Sequence, residues 1–461
     1  MKTIVVTTLA LYQTKFWVEL ANQMVGPELG MAFISFDERS SQLIKENNYS
    51  VLEINGIDYK NLKSLSEVNN LFTQLQIKNP RLTTSHERFV FGITKEKLLF
   101  NKFFQYYKKC DHFLSYISED NEIVLVQELG GFISVLAAHH AALKLKINSY
   151  FIEPSFFNKR YFLLKNKLIN DDLKLNKFTK EEKIKVQKYI RNKISNKKLV
   201  IPSKDSAHYN IAYKKILKSK NWRRFFEKIF DQFFLRKHQE FGHNFRYALS
   251  HLNMVINSKF LASHYTNFSK ANKFIYFPLH VPNDVSLTLR SPEYLDQLSL
   301  VEFIARNVPK TYSLVIKEHP AQIGAFNHKK INELLKRYEH LFLLHPETNN
   351  FDIIEHSSAV ISINSKTGAE AILKFKPVLV LGHSFYSSSP FVERINKLSE
   401  LNDKLIEMLE KKYIPNKNKI DDFFASLWSK TFSGDLYDMN PKNIEQFSTS
   451  LKDNLKMLYK K

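Results

Sequence analysis

The second half of the chain repeats one pattern: a short apolar run, then a stretch with helical spacing, then another run. The runs are 274–277 (FIYF), 313–317 (SLVIK), 341–344 (LFLL), 359–363 (AVISI) and 377–381 (PVLVL). Helix-like segments at 294–306, 329–339, 351–356 and 367–374 stand between them. Runs this short and apolar read as buried strands, and five strands alternating with helices predict a doubly wound parallel sheet. The first half carries the same signal less regularly, with strands predicted at 3–7, 32–36, 123–126 and 149–152 and a helix at 133–145 between the last two. A strand, helix and strand in that order predict a right-handed crossover and a parallel sheet. The fold class is therefore α/β, with two such units.

Between the units the composition shifts. Residues 159–237 hold 24 Lys and Arg against 7 Asp and Glu, which places +17 of the chain's net +22 in this stretch. Segments 180–193 and 222–241 interleave aromatic with basic residues at helical spacing, so a basic helical region at 159–270 is predicted. It separates a first unit at 1–158 from a second at 271–400, and a helical tail follows at 401–461. With 44% hydrophobic and 13% aromatic residues this is a folded chain and no disordered polyelectrolyte. The single cysteine, Cys110, excludes an intrachain disulfide framework and a cysteine-rich zinc site. The apolar N-terminal stretch is too short and too polar for a secretory signal, and no run is long enough to span a bilayer, so a soluble cytoplasmic protein is expected.

Ligands of such sheets bind at the carboxyl ends of strands, which directs attention to four loops. In the first unit these are 127–131 (QELGG), carrying Glu128, and 153–157 (EPSFF), carrying Glu153. In the second, the strand ending at Lys317 runs into Glu318, His319 and Pro320. The proline biases His319 toward extended backbone, and its imidazole can donate to a phosphate oxygen; a surface loop histidine is the plainer role. The segment 362–370 (SINSKTGAE) follows another strand and opens a helix. Ser362, Ser365, Lys366, Thr367 and Gly368 together offer hydroxyls, backbone N–H groups, a cation and a helix N-terminus to a phosphate, although an ordinary Ser/Thr cap reads the same way. Glu370, one turn on, can accept hydrogen bonds from ribose hydroxyls or merely complement the helix dipole. The two loops describe a nucleotide or nucleotide-sugar site. No dinucleotide-binding glycine fingerprint follows a predicted strand and no carboxylate-histidine metal motif is present, so neither nicotinamide chemistry nor a metal is assigned.

Segments 276–290 (YFPLHVPNDVSLTLR), 316–324 (IKEHPAQIG) and 361–386, together with QELGG and IEPSFF, resemble the bacterial capsule polysaccharide biosynthesis and export family, with matching pieces in order from Glu128 to Tyr386. The resemblance implies two Rossmann-like domains of GT-B-like architecture, the first binding acceptor and the second nucleotide. It implies a Kdo-transferase-like enzyme using CMP-activated ulosonic or nonulosonic acids, among them Kdo, pseudaminic and sialic acids. His319 and Ser365 would then contact the CMP phosphate and Glu370 hold the ribose, with Lys317, Pro320, Ser362, Thr367 and Gly368 in the same nucleotide-binding loops. Lys366 departs from the smaller residue expected at its position; it either adds a cation to the phosphate or changes how the loop binds.

A sugar transferase must also stabilise an oxocarbenium-like carbon or supply a nucleophile, and activate an acceptor hydroxyl. The candidates are Asp284, Glu128, Glu153 and His280. Asp284 is favoured as nucleophile or electrostatic stabiliser, against a plain turn role after Pro282 and Asn283, and Glu128 or Glu153 as acceptor base. Arg290 fits either the carboxylate of an ulosonic sugar or a structural ion pair. The expected function is a glycosyltransferase of surface-polysaccharide assembly with a CMP-sugar as donor substrate, a glycan or lipid-linked glycan as acceptor and no obligatory cofactor. A teichoic-acid-type polyol-phosphate transferase and a non-catalytic component of capsule export are the alternatives. The basic aromatic helices suit docking on an anionic inner-membrane face, against a plainly solvated surface. No DNA- or RNA-binding signature accompanies the charge, so no specific nucleic acid is expected.

Overall fold

The computed structural model describes residues 1–170, 177–197, 201, 209, 219–411 and 416–454. Most of 198–218, within the basic region, lies outside the described residues.

The first sheet contains β1 (Lys2–Thr8), β2 (Leu29–Ser35), β3 (Ser50–Glu53), β4 (Glu122–Glu128), β5 (Asn148–Pro154) and β6 (Arg160–Lys165). The second contains β7 (Phe274–Pro278), β8 (Ser313–Lys317), β9 (Leu341–Leu344), β10 (Ala359–Ser362), β11 (Val378–Val380) and β12 (Val392–Arg394). A last strand, β13 (Thr431–Ser433), returns to the first sheet, whose order is β13-β6-β5-β4-β1-β2-β3; the second runs β12-β11-β10-β7-β8-β9. All pairings are parallel except β5 with β6 and β6 with β13. This is an α/β protein of two Rossmann-like units with a basic helical insertion. Strand order reverses between β7 and β10 in the second sheet, and such a switch point opens a crevice at the strands' carboxyl ends.

The expected strands of the second unit form where the apolar runs stand. One apolar cluster then continues from Val5, Leu125 and Phe151 through Phe156 to Tyr276, Val360 and Ala369, so the two sheets share a core. The strands β3 and β12 form where none is predicted, and two further departures concern the basic region and the tail. The basic region begins as β6, because Lys159, at φ 53°, turns the chain back so that RYFLLK pairs antiparallel with β5. The tail is not purely helical: β13 pairs with β6, held by Arg160 Nε donating to Thr431 Oγ1 at 2.6 Å. The helix Pro441–Asp453 then packs on Leu11–Met24, with Phe447 edge-on to Phe16 at 5.2 Å.

Among the described residues of the basic region the α-helices are Lys180–Ser195, Ser219–Phe233 and Asn244–Leu261. Among the described residues no helix is long and apolar enough to cross a membrane.

Candidate active site

A cavity of about 450 Å³ lies between the two sheets, at the carboxyl ends of β5 on one wall and of β7, β8 and β10 on the other. Glu153, His280, Asp284, Arg290, Lys317, His319, Pro320, Ser365, Lys366, Thr367 and Glu370 all line it, so most of the residues picked from sequence converge.

His319 turns into the cavity from the end of β8. Its Nδ1 accepts the Ala321 backbone N–H at 3.2 Å, which leaves the proton on Nε2 and makes that edge a donor. Burial holds the imidazole down to about 4 despite the opposing field of Asp284, so it is neutral at pH 7. Opposite stands the helix Lys366–Leu373, whose N-cap is Ser365: the Ser365 hydroxyl accepts from Thr367 N at 3.2 Å and donates to Thr367 Oγ1. Thr367 is held in turn by Asn350, and Asn350 by the Tyr276 hydroxyl. Lys317 is buried beneath, donating to the carbonyls of Pro346 and Thr348, with its ammonium lowered to about 8 by burial. The site thus gathers an oriented imidazole, a helix N-terminus and a buried cation, the groups that hold a phosphate.

Three buried polar atoms on the cavity's lining residues, Glu370 Oε2, Asn364 Oδ1 and Asn170 Nδ2, have no hydrogen-bond partner. Buried polar groups are nearly always satisfied, so three orphans around one cavity mark places that a polar ligand completes. The other Glu370 oxygen meets Lys193 Nζ at 3.2 Å.

Other predicted residues have different partners. Arg290 and Glu153 bind each other in a two-pronged pair, Nη1 to Oε1 at 2.7 Å and Nη2 to Oε2 at 2.9 Å, while Arg290 Nε donates to Leu168 O. The pair clamps the end of β5 to the second unit, which is the ion-pair role of Arg290. Asp284 caps the short helix Val285–Thr288, its Oδ1 accepting from both Ser286 N and Ser286 Oγ, and remains exposed at the cavity. His280 is buried and lowered to about 4 by desolvation, its backbone tied to Gln297. Lys366 reaches across to the Ser155 carbonyl at 2.9 Å, bridging the units.

Glu128, Ser362 and Gly368 are not on the cavity wall. Glu128, at the last position of β4, accepts from Gln13 Nε2 and the Tyr437 hydroxyl, while Leu129 after it faces the cavity. Ser362 and Gly368 instead support the loop. The Tyr386 hydroxyl bonds to Ser362 Oγ and Ser365 O, and a Cβ on Gly368 would stand 2.2 Å from that hydroxyl. Glycine is required there because the phenol lies against the helix's first turn.

The sequence reading missed several wall residues. Lys193 comes from the basic helix Lys180–Ser195, and Tyr209, from the same region, sets its ring edge-on to His319 at 5.7 Å. Glu318, wholly buried, accepts from Gly324 N and the Tyr265 hydroxyl, and burial raises its carboxyl to about 7. It anchors the turn that aims His319. Its position next to the His-Pro pair was the available signal. Among the described residues no group of three His, Cys, Asp or Glu side chains is placed to hold a metal ion.

Among known proteins, residues 136–392 match the family described as Capsule polysaccharide biosynthesis protein. The chain is 29% identical over 168 residues to Protein FixF of Sinorhizobium fredii (strain NBRC 101917 / NGR234), covering 36% of this chain and 39% of that protein. It is 33% identical over 89 residues to the Capsule polysaccharide export protein KpsS of Escherichia coli, covering 18% and 22%. The chain therefore spans well under half the length of either curated relative. Among solved structures, the beta Kdo 2,7 transferase of Thermosulfurimonas dismutans KpsC aligns at 16% identity and TM-score 0.34, covering 92% of this chain and 98% of that one. The beta Kdo 2,4 transferase of the same protein aligns at 11% identity and TM-score 0.36, covering 74% and 92%. The matched span of 136–392 is more than half the chain and includes the His319 turn, the Ser365 loop, Lys193 and the Arg290–Glu153 clamp; this chain belongs to the capsule polysaccharide biosynthesis protein family.

Proposed function

We propose that the protein is a glycosyltransferase that moves an ulosonic or nonulosonic acid from a CMP-sugar to a glycan or lipid-linked glycan acceptor of a surface polysaccharide. The observation that carries this reading is the meeting of the His319 Nε2 edge and the Ser365-capped helix N-terminus at one cavity, with an unpartnered Glu370 oxygen beside them. His319 and the helix N-terminus would hold the phosphate, and Glu370 Oε2 would accept from the ribose.

In the reaction the bond from the anomeric carbon to the phosphate oxygen breaks, its electron pair leaving with CMP, and the acceptor oxygen bonds to that carbon as its hydroxyl proton is lost to solvent. The developing phosphate charge would meet the Nε2–H of His319, the first-turn N–H groups and the field of Lys317, all oriented before the donor arrives. On the sugar side the carboxylates that line the cavity differ in exposure: Glu153 is half-buried against Arg290, and Glu318 and Glu370 are buried. Asp284 is the exposed one, and we assign it to face the anomeric carbon.

The test is calorimetry with CMP, followed by CMP-Kdo, CMP-sialic acid and CMP-pseudaminic acid with glycan acceptors. Saturable CMP binding that weakens about tenfold or more in His319→Ala, at unchanged melting temperature, supports the reading. A folded protein that binds no CMP and releases none from any donor removes it.

A further inference from the structure

The helices Ser219–Phe233 and Asn244–Leu261 leave a large apolar face uncovered. Twelve of the twenty-five large hydrophobic side chains exposed among the described residues lie between Trp222 and Phe260. They are ordered in stripes. Trp222, Phe226, Phe230 and Phe234 recur at every fourth position, on one side of the first helix and its continuation, with Phe226 60% and Phe234 74% exposed. Phe245, Leu249, Leu252, Ile256 and Phe260 form the corresponding stripe on the second helix. The ring contacts of Phe245 with Phe225 and Phe233, at 6.0 and 6.1 Å, join the helices beside these stripes. A soluble monomer rarely leaves so much contiguous apolar surface without a use for it.

The face is built rather than loose, because both helices and the loop between them are tied to the body. Asp231 pairs with Arg39 at 2.6 Å and Glu240 with Lys102 at 2.8 Å. Asn257 donates to the Gly324 carbonyl at 3.0 Å. Gly324 has φ +80°, and a Cβ there would stand 2.1 Å from the Met254 carbonyl, so the helix lies directly against that turn.

Charge selects the occupant. Between Ser219 and Leu261 the acidic residues are Glu227, Asp231 and Glu240; the last two are buried in the pairs just described, and Glu227 is paired with Arg223 at 2.8 Å. On the same helices and the loop between them Arg223, Arg224, Arg236 and Lys259 are exposed and Lys237 is half-exposed. Aromatic and aliphatic stripes bordered by cations, with no unpaired exposed acid, are the composition of a helix that lies in a bilayer interface among anionic headgroups. We infer that this helical pair docks the protein on an anionic lipid surface.

Docking there has a consequence for the cavity. A groove of about 860 Å³ lies between the second helix, at Arg246, Tyr247 and Met254, and the body at Phe89 and Phe91, and it meets the cavity at Asn283 and Gln322. A bilayer on this face therefore lies beside a path into the site where the transfer is proposed. The docking itself does not depend on that transfer.

The test is co-sedimentation of the full chain, without donor, with vesicles of phosphatidylcholine alone and of phosphatidylcholine and phosphatidylglycerol mixed three to one. Wild type should partition strongly to the mixed vesicles. Trp222→Ser, Phe226→Ser, Phe230→Ser and Phe234→Ser together should lower that partition by about a hundredfold or more. Arg223→Gln, Arg224→Gln, Arg236→Gln and Lys237→Gln together should lower it about fivefold per charge removed and abolish the preference for the anionic lipid. All changed side chains are on the surface, so melting temperatures should stay at the wild-type value and certify the fold. Wild type that remains in solution with both vesicles, or an aromatic variant that binds as well as wild type, overturns the inference. So does a wild-type dimer, seen by light scattering, that the aromatic changes dissociate while neither form binds vesicles; the face would then belong to a second copy. CMP binding is read separately, so the docking and the transfer can fail independently.

Discussion

Lys193 and Glu370 meet at 3.2 Å with both side chains almost completely buried, so a helix of the basic insertion supplies the counter-charge to a carboxylate of the helix Lys366–Leu373. The Lys193 ammonium also lies 4.6 Å from the centre of the Phe156 ring. Removing one member of a buried pair strands the other charge, so Lys193→Met should cost about 3–5 kcal/mol in urea unfolding. Lys193→Met with Glu370→Gln should recover most of that loss, because no isolated charge remains. On the proposed ribose role, CMP affinity should stay about tenfold down in the double variant. Recovery of stability and affinity together would make Glu370 structural only.

The Arg290–Glu153 clamp makes a second, separable prediction. Its bonds are parallel and mostly shielded, and it joins β5 to the segment after β7. A double-mutant cycle with Arg290→Met and Glu153→Gln should return a coupling of about 1–3 kcal/mol in unfolding free energy. A coupling near zero would mean that this pair does not help to hold the units together.

Much of the fold was legible because its signals are local. Five apolar runs and the helices between them give β7 to β11, and the rule on strand ends brings His319 and Ser365 to one crevice. Elements set by distant partners were not legible. β13 is three residues long and pairs only with β6, so nothing within it marks a strand, and the six residues of β6, although largely apolar, lie inside the charged stretch that begins at Lys159 and reads as helical. Glu128 misses the cavity by one position, since side chains alternate along a strand and the facing residue is Leu129. Lys193 was lost among 24 basic residues of its stretch: which lysine of a charged helix turns inward depends on what that helix packs against.

Gly368 and Tyr386 test the support of the Ser365 loop. Gly368→Ala puts a methyl into the phenol's place and should cost about 1–3 kcal/mol, since both groups are buried. Tyr386→Phe removes the donor to the Ser365 carbonyl and should cost a similar amount. Both should also raise the donor KM, because the N-cap serine moves with its support. A stability loss with unchanged KM would detach Tyr386 from the binding loop.

Acid should weaken this protein in a way that its buried carboxyls resist. Burial holds the imidazoles of His86, His140, His280 and His319 down to about 4 and that of His139 to about 3, all from 6.5. Between pH 6.5 and 4 the unfolded chain then binds more protons at these positions than the folded one, so stability falls as pH falls through that window. Glu318 acts with the opposite sign. Burial raises its carboxyl from 4.5 to about 7, so the folded state takes up its proton first and gains stability as pH falls from 7 to 4.5. Glu87, raised by burial next to Glu240, adds in the same direction. His243, which burial also lowers, joins the five imidazoles, and Asp37, which burial raises, joins the two carboxyls; the histidines prevail, and the net trend is a falling melting temperature on acidification. Glu318→Gln keeps an acceptor for the Gly324 N–H but cannot titrate, so it should steepen the decline while raising stability relative to wild type above pH 7. Melting temperatures of both proteins from pH 8 to about 4 check this, and parallel curves would place the Glu318 carboxyl back in the ordinary range.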